Sequence, residues 1–344
     1  MRLAVVLFNL GGPDGPTAVE PFLANLFTDP AIIRVPWPLR PLLGRLIARR
    51  RAPVARANYD RIGGASPILA NTRAQADALA AALADAGTVA TFVAMRYWHP
   101  RATETVAAVR AFRPDRVVLL PLYPQYSTTT TASSLAEWRR AAAKTGLTAP
   151  TTAVCCWPAE AGLVDAQAGL VRHGLDALPP DEPWRVLFSA HGLPEKIVAA
   201  GDPYQWQVER TAAAVAERSG LAREDWVVCY QSRVGPLRWI GPSTEEEIAR
   251  AGREGRTVVV LPIAFVSEHS ETLVELDMEY RELAERAGVP RYVRLPTVGV
   301  ETAFIAGLAD LVRRAMVAPE GYAPPGGSRL CSQGFSACPI GAAR

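Results

Sequence analysis

The chain has 344 residues, of which 49% are apolar and 21% charged, so it can bury a sizeable core and is not of the disordered class. Its formal net charge of +3 is too small to indicate a nucleic-acid-binding protein, which would concentrate many more Lys and Arg residues on one face. The five cysteines have no regular spacing, which favours a reducing, cytoplasmic compartment over a disulfide framework. No run reaches the roughly 18 apolar residues of a membrane span, and the N-terminal apolar run is too short for a signal peptide.

Short apolar runs alternate with amphipathic segments along the whole chain. The strand-like runs are rich in β-branched residues and are found at Leu3–Leu10, Ala90–Tyr97, Arg116–Tyr123, Thr151–Trp157, Trp184–His191, Trp226–Gln231, Thr257–Val266 and Tyr292–Pro296. Helix-like segments stand between them at Thr72–Ala86, Thr103–Phe112, Ser133–Thr145, Tyr204–Ser219 and Glu271–Ala287. This order predicts parallel α/β sheets with helices on their faces. The pattern leaves open one closed barrel or two domains, although a proline-bearing stretch around Thr145–Pro150 favours two.

His191 is the most informative of the four histidines, because it stands at the carboxyl end of an apolar strand. Ligand-contacting residues of open α/β sheets occupy such positions. A histidine at this place can equally be a structural residue at a strand end, and the fragment alone leaves both interpretations open.

A row of acidic residues follows the strand that ends near Pro262. Glu271, Glu275 and Glu279 are four residues apart, so a helix would project all three from one face, beside Glu268 and His269. A row of carboxylates that leads inward from a strand end would attract a divalent cation and relay protons. A solvated acidic face is the alternative.

Two glycine-rich turns, Asn9–Pro13 and Arg61–Pro67, lack the order of a dinucleotide-binding loop or a P-loop. They remain candidates for a close backbone approach to a flat or anionic ligand.

The segment Ala31–Pro53 mixes apolar residues with arginines, including Arg34, and its Leu42, Leu43, Leu46 and Ile47 fall on one helical face. Such a segment suits contact with an anionic lipid surface or, as the alternative, packing of a surface helix on the core.

Eight short motifs, in order along most of the chain, resemble the ferrochelatase family. They are Leu7–Pro13, Tyr59–Ile68, Met95–Pro100, Tyr123–Ser127 with a Thr run, Ser189–Pro194, Gly201–Tyr204, Gln231–Pro236 with Trp239–Pro242, and Ser267–Tyr280. The resemblance implies two similar doubly wound, Rossmann-like, chelatase-like domains with a porphyrin cleft between them, and not a barrel. The expected boundaries are 1–148 for an N-terminal domain with a lip at 31–53, and 149–298 for a C-terminal domain. A helix at 299–318 is expected to pack back on the N-terminal domain, followed by an irregular tail at 319–344.

The resemblance also implies roles for individual residues. His191 and Glu271 would form the metal site and handle pyrrole protons, with Glu275 and Glu268 extending the acidic path behind them. The family commonly has Asp where Glu268 stands. The porphyrin-binding residues would be Leu10, Arg51, Tyr59, Ser66, Arg96, Tyr97 and Trp239.

The implied reaction is insertion of Fe²⁺ into protoporphyrin IX, the last step of haem biosynthesis, by a lyase in the cytoplasm. Both substrates would be its partners, and the lip allows peripheral contact with the inner membrane. No tightly bound cofactor is expected. A [2Fe–2S] cluster, found in some family members, would need four thiolates, whereas the tail offers only Cys331 and Cys338, and Thr128 follows Ser127. The alternatives are a coproporphyrin ferrochelatase or another tetrapyrrole chelatase, and a porphyrin or haem carrier without turnover.

Overall fold

The computed structural model describes residues 1–33, 35–233, 235 and 237–341. Arg34 of the expected lip, Val234 and Pro236 of the Gln231–Pro236 motif, and residues 342–344 of the expected tail therefore lie outside the described residues.

The chain forms two compact units. The first comprises residues 1–123, 127–155 and 311–323, and the second comprises 124–126, 156–310 and 324–344. The expected boundary at 148/149 falls inside the first unit, which continues to Cys155. The expected helix at 299–318 is Thr302–Val317, and its residues are divided between the two units after Asp310.

The first unit is a five-stranded parallel sheet with helices between successive strands. The strands are β1 (Arg2–Asn9), β2 (Thr88–Met95), β3 (Arg116–Pro121), β4 (Thr151–Val154) and β9 (Gly321–Ala323), and their order in the sheet is β2-β1-β3-β4-β9. The helices are α1 (Val19–Phe27), α2 (Leu39–Asp60), α3 (Ile68–Ala82), α4 (Ala102–Phe112) and α5 (Thr131–Thr145). Seven of the eight residues of β1 are buried, as is typical of an interior strand of a parallel sheet with both faces covered.

The second unit is a four-stranded parallel sheet with the order β6-β5-β7-β8. Its strands are β5 (Trp184–His191), β6 (Trp226–Gln231), β7 (Thr257–Pro262) and β8 (Tyr292–Arg294), and its helices are α6 (Ala161–Asp176), α7 (Glu195–Ala199), α8 (Tyr204–Ser219), α9 (Thr244–Arg253), a π-helix (Glu271–Glu279) and α10 (Tyr280–Arg286). The helix that the two units share is α11 (Thr302–Val317). Three 3₁₀ turns complete the described elements, at Pro16–Ala18, Ala84–Ala86 and Arg223–Asp225.

All eight predicted strands are present, and the two open sheets confirm the parallel α/β prediction against the barrel. Two predictions were wrong. The tail is not irregular throughout, because Gly321–Ala323 pairs in parallel with β4 and satisfies the backbone groups of that edge strand. The segment Glu271–Ala287 is not a continuous α-helix, since its first nine residues form a π-helix.

The apolar residues of α2 differ in their exposure. Gly44 and Ala48 are buried there, and a Cβ on Gly44 would lie 2.8 Å from the Phe27 carbonyl oxygen, so only a small residue allows α1 and α2 to approach so closely. Leu42 is 71% exposed and Leu46 is 63% exposed. Leu43 and Ile47, the other two residues of the predicted apolar face, are half-buried. The face is therefore divided between solvent and the protein, and both alternatives stay open.

The two glycine-rich turns approach other parts of the chain itself. Gly11 has a φ of +85°, and a Cβ there would lie 3.1 Å from the Trp98 backbone nitrogen. A Cβ on Gly12 would lie 2.5 Å from the Cβ of Ser66, whose amide donates a hydrogen bond to the Pro13 carbonyl at 2.8 Å. Gly12 and Ser66 thus join the first turn to the second, whereas a Cβ on Gly63 or Gly64 would have no atom closer than 3.9 Å. The expected approach to a ligand stays a prediction.

Candidate active site

Two polar segments meet at the carboxyl edge of the second unit's sheet. His191 is the last residue of β5, and the segment after β7 leads through a short loop into the π-helix, whose first residue is Glu271. Because β5 and β7 are parallel and adjacent in the sheet, both connections leave from the same edge. The topology thereby brings together two residues that are 80 positions apart.

Glu271 lies between two imidazoles. Its Oε1 is 3.8 Å from His191 Nε2, and its Oε2 is 3.6 Å from His269 Nε2. The His269 side chain is buried, whereas those of His191 and Glu271 are 38% and 28% exposed. The predicted meeting of His191 and Glu271 is therefore seen in the structure, and His269 is a third member that the sequence did not assign.

The backbone fixes the tautomer of each imidazole. His191 Nδ1 donates a hydrogen bond to the Gly192 carbonyl at 2.6 Å, and His269 Nδ1 donates to the Ser267 carbonyl at 3.1 Å, since a carbonyl oxygen can only accept. In the neutral form, each ring therefore keeps its lone pair on Nε2, the atom that faces Glu271. A lone pair on His191 Nε2 can accept a proton or bind a metal ion.

The two imidazoles keep the Glu271 carboxyl ionised. Burial would raise the pKa of Glu271, but the charge of His191 and the hydrogen bond and charge of His269 outweigh it and lower the pKa to about 2. Burial lowers the pKa of His269, yet its interactions with Glu271 leave that pKa raised above the ordinary value. At neutral pH the site thus holds a carboxylate beside a histidine that retains its proton more readily than usual.

Glu275 follows Glu271 by four residues in the π-helix, and its carboxyl group has other neighbours. Burial and the charge of Glu271 raise its pKa, although several donors to its carboxylate act in the opposite direction. These donors are the Ser232 amide at 2.7 Å, the Tyr280 hydroxyl at 2.9 Å, the Gln231 amide at 3.4 Å and the Ser232 hydroxyl. The neighbouring carboxyls Glu271 and Glu275 have pKa values that move in opposite directions, as expected for groups that exchange protons.

Glu268 belongs to an ion-pair network. Its Oε1 accepts hydrogen bonds from Arg294 Nη1 at 2.6 Å and from the Thr297 amide at 3.0 Å, and its Oε2 accepts one from the Thr272 hydroxyl at 2.5 Å. Arg294, which is mostly buried, also pairs with Asp277 at 3.3 Å. These bonds fix the loop that precedes the π-helix, so Glu268 is placed to orient His269 and Glu271.

Trp239 lies beside the strand-end histidine. A Cβ on Gly192, the residue after His191, would lie 3.2 Å from Trp239 Cε3. The indole also lines a cavity of about 300 Å³ together with Arg233, Leu237 and Glu245. The second unit thereby brings Trp239, His191, Glu271 and Glu275 into one region.

The remaining predicted porphyrin-binding residues lie in the first unit. Leu10 and Ser66 are half-buried, Tyr59 is buried, and Arg51 is exposed with its guanidinium 5.8 Å from the Phe27 ring. Their contact with a porphyrin stays a prediction.

Arg96 and Tyr97 are buried and share Asp29, which accepts hydrogen bonds from the Arg96 guanidinium at 2.7 Å and from the Tyr97 hydroxyl at 2.8 Å. Arg96 also pairs with Glu137 at 3.2 Å and donates to Ser133 at 2.7 Å. This network orders the loop after β2, which carries both residues.

Several residues of these networks escaped sequence reasoning. His269 and Tyr280 lie inside a quoted motif, but only burial and contact distances reveal their partners. Asp29 has no strand-end position that would mark it, and it is 67 residues from Arg96.

Within the described part of the chain, no group of three or more His, Cys, Asp or Glu side chains is arranged to hold a metal ion. No described helix has the length and apolar character needed to cross a bilayer.

Comparison with known proteins shows the family of this chain. The family model described as Ferrochelatase matches residues 2–316. The chain is 54% identical to a ferrochelatase of Caulobacter vibrioides over 341 residues, covering 98% of this chain and 97% of that one, and 44% identical to a ferrochelatase of Pelagibacter ubique over 344 residues, covering 98% of each. Among solved structures, the sirohydrochlorin chelatase SirB from Bacillus subtilis subspecies spizizenii in complex with cobalt is similar with a TM-score of 0.53 at 12% identity, covering 92% of this chain and 95% of that one.

The two parallel α/β sheets together with the relatives named Ferrochelatase identify an enzyme of the chelatase type, a metal-chelating lyase. The chain belongs to the ferrochelatase family, as the family match and the identities over nearly its whole length show.

Proposed function

We propose that this chain inserts Fe²⁺ into protoporphyrin IX to give protohaem, with His191 and Glu271 acting on the pyrrole protons and the metal ion. The observation that carries the proposal is the 3.8 Å approach of His191 Nε2 to Glu271 Oε1. The hydrogen bond from His191 Nδ1 to Gly192 supports it further, because it leaves the Nε2 lone pair directed at the same place.

The chemistry requires two kinds of group. Fe²⁺ must lose water as it enters the ring, and two pyrrole nitrogens must each lose a proton. Neutral imidazole is a suitable ligand for iron and a suitable base near neutral pH. In the proposal, His191 accepts a pyrrole proton at Nε2, and ionised Glu271 balances the charge of the imidazolium that forms. Glu275, whose pKa is raised by burial and by the Glu271 charge, then receives the proton.

Protoporphyrin IX is proposed over a more carboxylated ring because the segment expected to form the lip exposes a large apolar surface. Trp37 is 73% exposed, and Leu39, Leu42 and Leu46 are exposed on the same segment. A porphyrin with two propionates and an apolar edge matches such a surface better than one with four carboxylates. Arg51 and Ser66 are the residues proposed to hold its propionates, as the family resemblance implies.

The deciding experiment is a continuous spectral assay with Fe²⁺ or Zn²⁺ and two porphyrins, protoporphyrin IX and coproporphyrin III. We expect metal insertion with a higher kcat/KM for protoporphyrin IX. A higher kcat/KM for coproporphyrin III would identify the alternative substrate. Binding of both porphyrins without insertion would identify a carrier, which has no need of a base beside a carboxylate.

We also propose that the chain works in the cytoplasm and touches the inner face of the inner membrane through α2. Its exposed leucines lie next to Arg45 and Arg49, and these residues line a cavity of about 600 Å³ with α1. Apolar side chains beside cations suit an anionic lipid surface. The variant Leu42→Glu with Leu46→Glu should sediment at least about fivefold less with phosphatidylglycerol vesicles, because it loses apolar contact and adds like charge. Val317→Glu, a change at another exposed apolar residue, should bind as the unaltered chain does, and equal sedimentation of both variants would contradict the proposal.

We propose, finally, that no [2Fe–2S] cluster or other cofactor is tightly bound. Burial raises the pKa of the Cys331 thiol to about 12, and Cys338 and Cys156 act on it in the same direction, so three thiols lie near one another. A cluster needs four thiolate ligands. Iron–sulfur absorption in freshly purified, anaerobic protein would contradict this.

A further inference from the structure

The peptide that joins His191 to Gly192 is held at both of its polar atoms. Its carbonyl oxygen, on His191, accepts a hydrogen bond from the Tyr204 hydroxyl at 3.1 Å. Its amide, on Gly192, donates a hydrogen bond to the Gln231 carbonyl at 2.9 Å. Tyr204 is the first residue of α8 and Gln231 is the last residue of β6, so the peptide is fixed to a helix on one side and to the neighbouring strand on the other.

The same peptide is part of the closed ring of bonds that orients the imidazole. His191 Nδ1 donates to the Gly192 carbonyl at 2.6 Å, and the covalent path between these two atoms passes through the peptide. A rotation of the peptide would carry the Gly192 carbonyl away from Nδ1. The neutral ring could then place its proton on Nε2 and turn that atom away from Glu271, which now lies 3.8 Å from it.

The chain around Gly192 is already in close contact on the β6 side. A Cβ on Gly192 would lie 3.1 Å from the Gln231 carbonyl oxygen and 3.2 Å from Trp239 Cε3. The backbone therefore has little freedom in that direction. On the other side of the peptide, the Tyr204 hydroxyl is the group that holds the His191 carbonyl.

The phenol of Tyr204 is itself firmly placed. The residue is 8% exposed and belongs to the buried apolar core of the second unit. Its amide donates to Asp202 Oδ1 at 3.0 Å, which fixes the start of α8. The C-terminal tail holds the same loop, because the Ala337 amide donates to the Gly201 carbonyl at 3.2 Å. A buried hydroxyl on a fixed helix start can keep a carbonyl in one position.

We propose that Tyr204 is a positioning residue for the reaction and holds the His191–Gly192 peptide so that His191 Nε2 stays directed at Glu271. This inference rests on the proposed function, because it concerns the base assigned there. The hydroxyl contacts the backbone of His191, so its loss should affect the chemical step and not the binding of porphyrin. Small displacements of a reacting group can cost large factors in rate.

The test removes one buried hydroxyl at a time from two tyrosines. Tyr204→Phe removes the donor to the His191 carbonyl. Tyr230→Phe is the matched control, because Tyr230 lies opposite Ala190 in the sheet, in the same core, and its hydroxyl has no hydrogen-bond partner among the described residues. Zn²⁺ insertion into protoporphyrin IX gives kcat and KM. Nitrogen-15 NMR of the histidine rings at alkaline pH gives the tautomer of His191, whose signals are identified by their loss in His191→Ala.

We expect Tyr204→Phe to lower kcat about tenfold or more with the KM for porphyrin unchanged, and to convert His191 from one tautomer, protonated at Nδ1, to a mixture of two. Tyr230→Phe should have the kcat, KM and tautomer of the unaltered chain. Replacement of Tyr204 by 4-aminophenylalanine, which keeps a hydrogen-bond donor at the same ring position, should restore kcat and the single tautomer.

An unchanged kcat or an unchanged tautomer in Tyr204→Phe, or equal effects in the two phenylalanine variants, would overturn this inference alone. If Tyr204→Phe does not bind porphyrin, the 4-aminophenylalanine variant decides, and a low kcat or a mixed tautomer in it overturns the inference. An unaltered chain that forms no metalloporphyrin would overturn the proposed function, whereas the tautomer measurement would still show whether Tyr204 holds the imidazole.

Discussion

The same change of charge at Glu268 and at Glu271 should have different consequences for catalysis. The two residues are three positions apart, and the family resemblance assigns Glu271 to the metal site and Glu268 to the acidic path behind it. In the structure Glu268 is held by Arg294 at 2.6 Å and by two further hydrogen bonds, whereas Glu271 faces the two imidazoles. Glu268→Gln should therefore cost stability while preserving metal insertion.

The magnitude follows from the contacts that the change weakens. Glu268→Gln leaves Arg294, a mostly buried cation, with Asp277 as the ion-pair partner at 3.3 Å. Removing one partner of a buried ion pair costs about 3–5 kcal/mol, and the side chain of Glu268 is partly exposed, so about 2–3 kcal/mol is expected. At roughly 2–4 °C per kcal/mol for a unit of this size, the melting temperature should fall by about 5–10 °C.

Calorimetry gives the melting temperature, and the spectral assay, run well below both transitions, gives the insertion rate. Glu268→Gln should keep at least about a third of the normal rate, whereas Glu271→Gln should lose at least about a hundredfold because the group beside the base is gone. Comparable losses of insertion rate in both variants would contradict the assignment of a structural role to Glu268 and a role in the reaction to Glu271.

Three further results are expected. Because Glu271 has a pKa of about 2 in the folded chain and about 4.5 when unfolded, its stabilisation is complete above pH 4.5 and disappears as the pH falls towards 2. When the pH is lowered from 5 to 3, the free energy of unfolding in urea should therefore fall less for Glu271→Gln than for the unaltered chain. An equally steep fall in both would contradict the lowered pKa of Glu271. Asp29→Asn should cost about 3 kcal/mol in urea unfolding, since the buried Arg96 guanidinium loses a charged partner, and a cost below about 1 kcal/mol would show that Glu137 compensates. Gly44→Leu should destabilise the first unit, because its Cβ would meet the Phe27 carbonyl at 2.8 Å, and an unchanged melting temperature would contradict that close packing.

The parallel strands could be predicted because strands buried on both faces are continuous apolar runs, as β1 and β7 are. The strand Gly321–Ala323 could not, since its three residues have no apolar pattern and depend on pairing with β4. The π-helix also escaped prediction, because the four-residue spacing of the glutamates fits an α-helix equally well. Nothing in the residues of this segment distinguishes the wider turn of a π-helix from the turn of an α-helix.

The resemblance to the ferrochelatase family predicted the pairing of His191 and Glu271, whereas the residues alone indicated only that each lies at or after the end of a strand of the sheet. Their electrostatic environment could not be predicted, because it depends on His269 and on backbone acceptors such as Gly192 and Ser267. The same limit applies to Asp29, whose role arises from contacts with residues far along the chain. Position along a strand predicts where a side chain lies, but not which partners set its charge.

Zn²⁺ insertion by His191→Ala, measured together with porphyrin binding, tests most directly whether this imidazole acts on the ring. Alanine removes the Nε2 atom that lies 3.8 Å from Glu271 and leaves the backbone of β5 in place. We expect the variant to bind protoporphyrin IX measurably and to insert metal at no more than about 1% of the normal rate, which is the usual contribution of a general base. Insertion at a rate close to that of the unaltered chain would contradict the account.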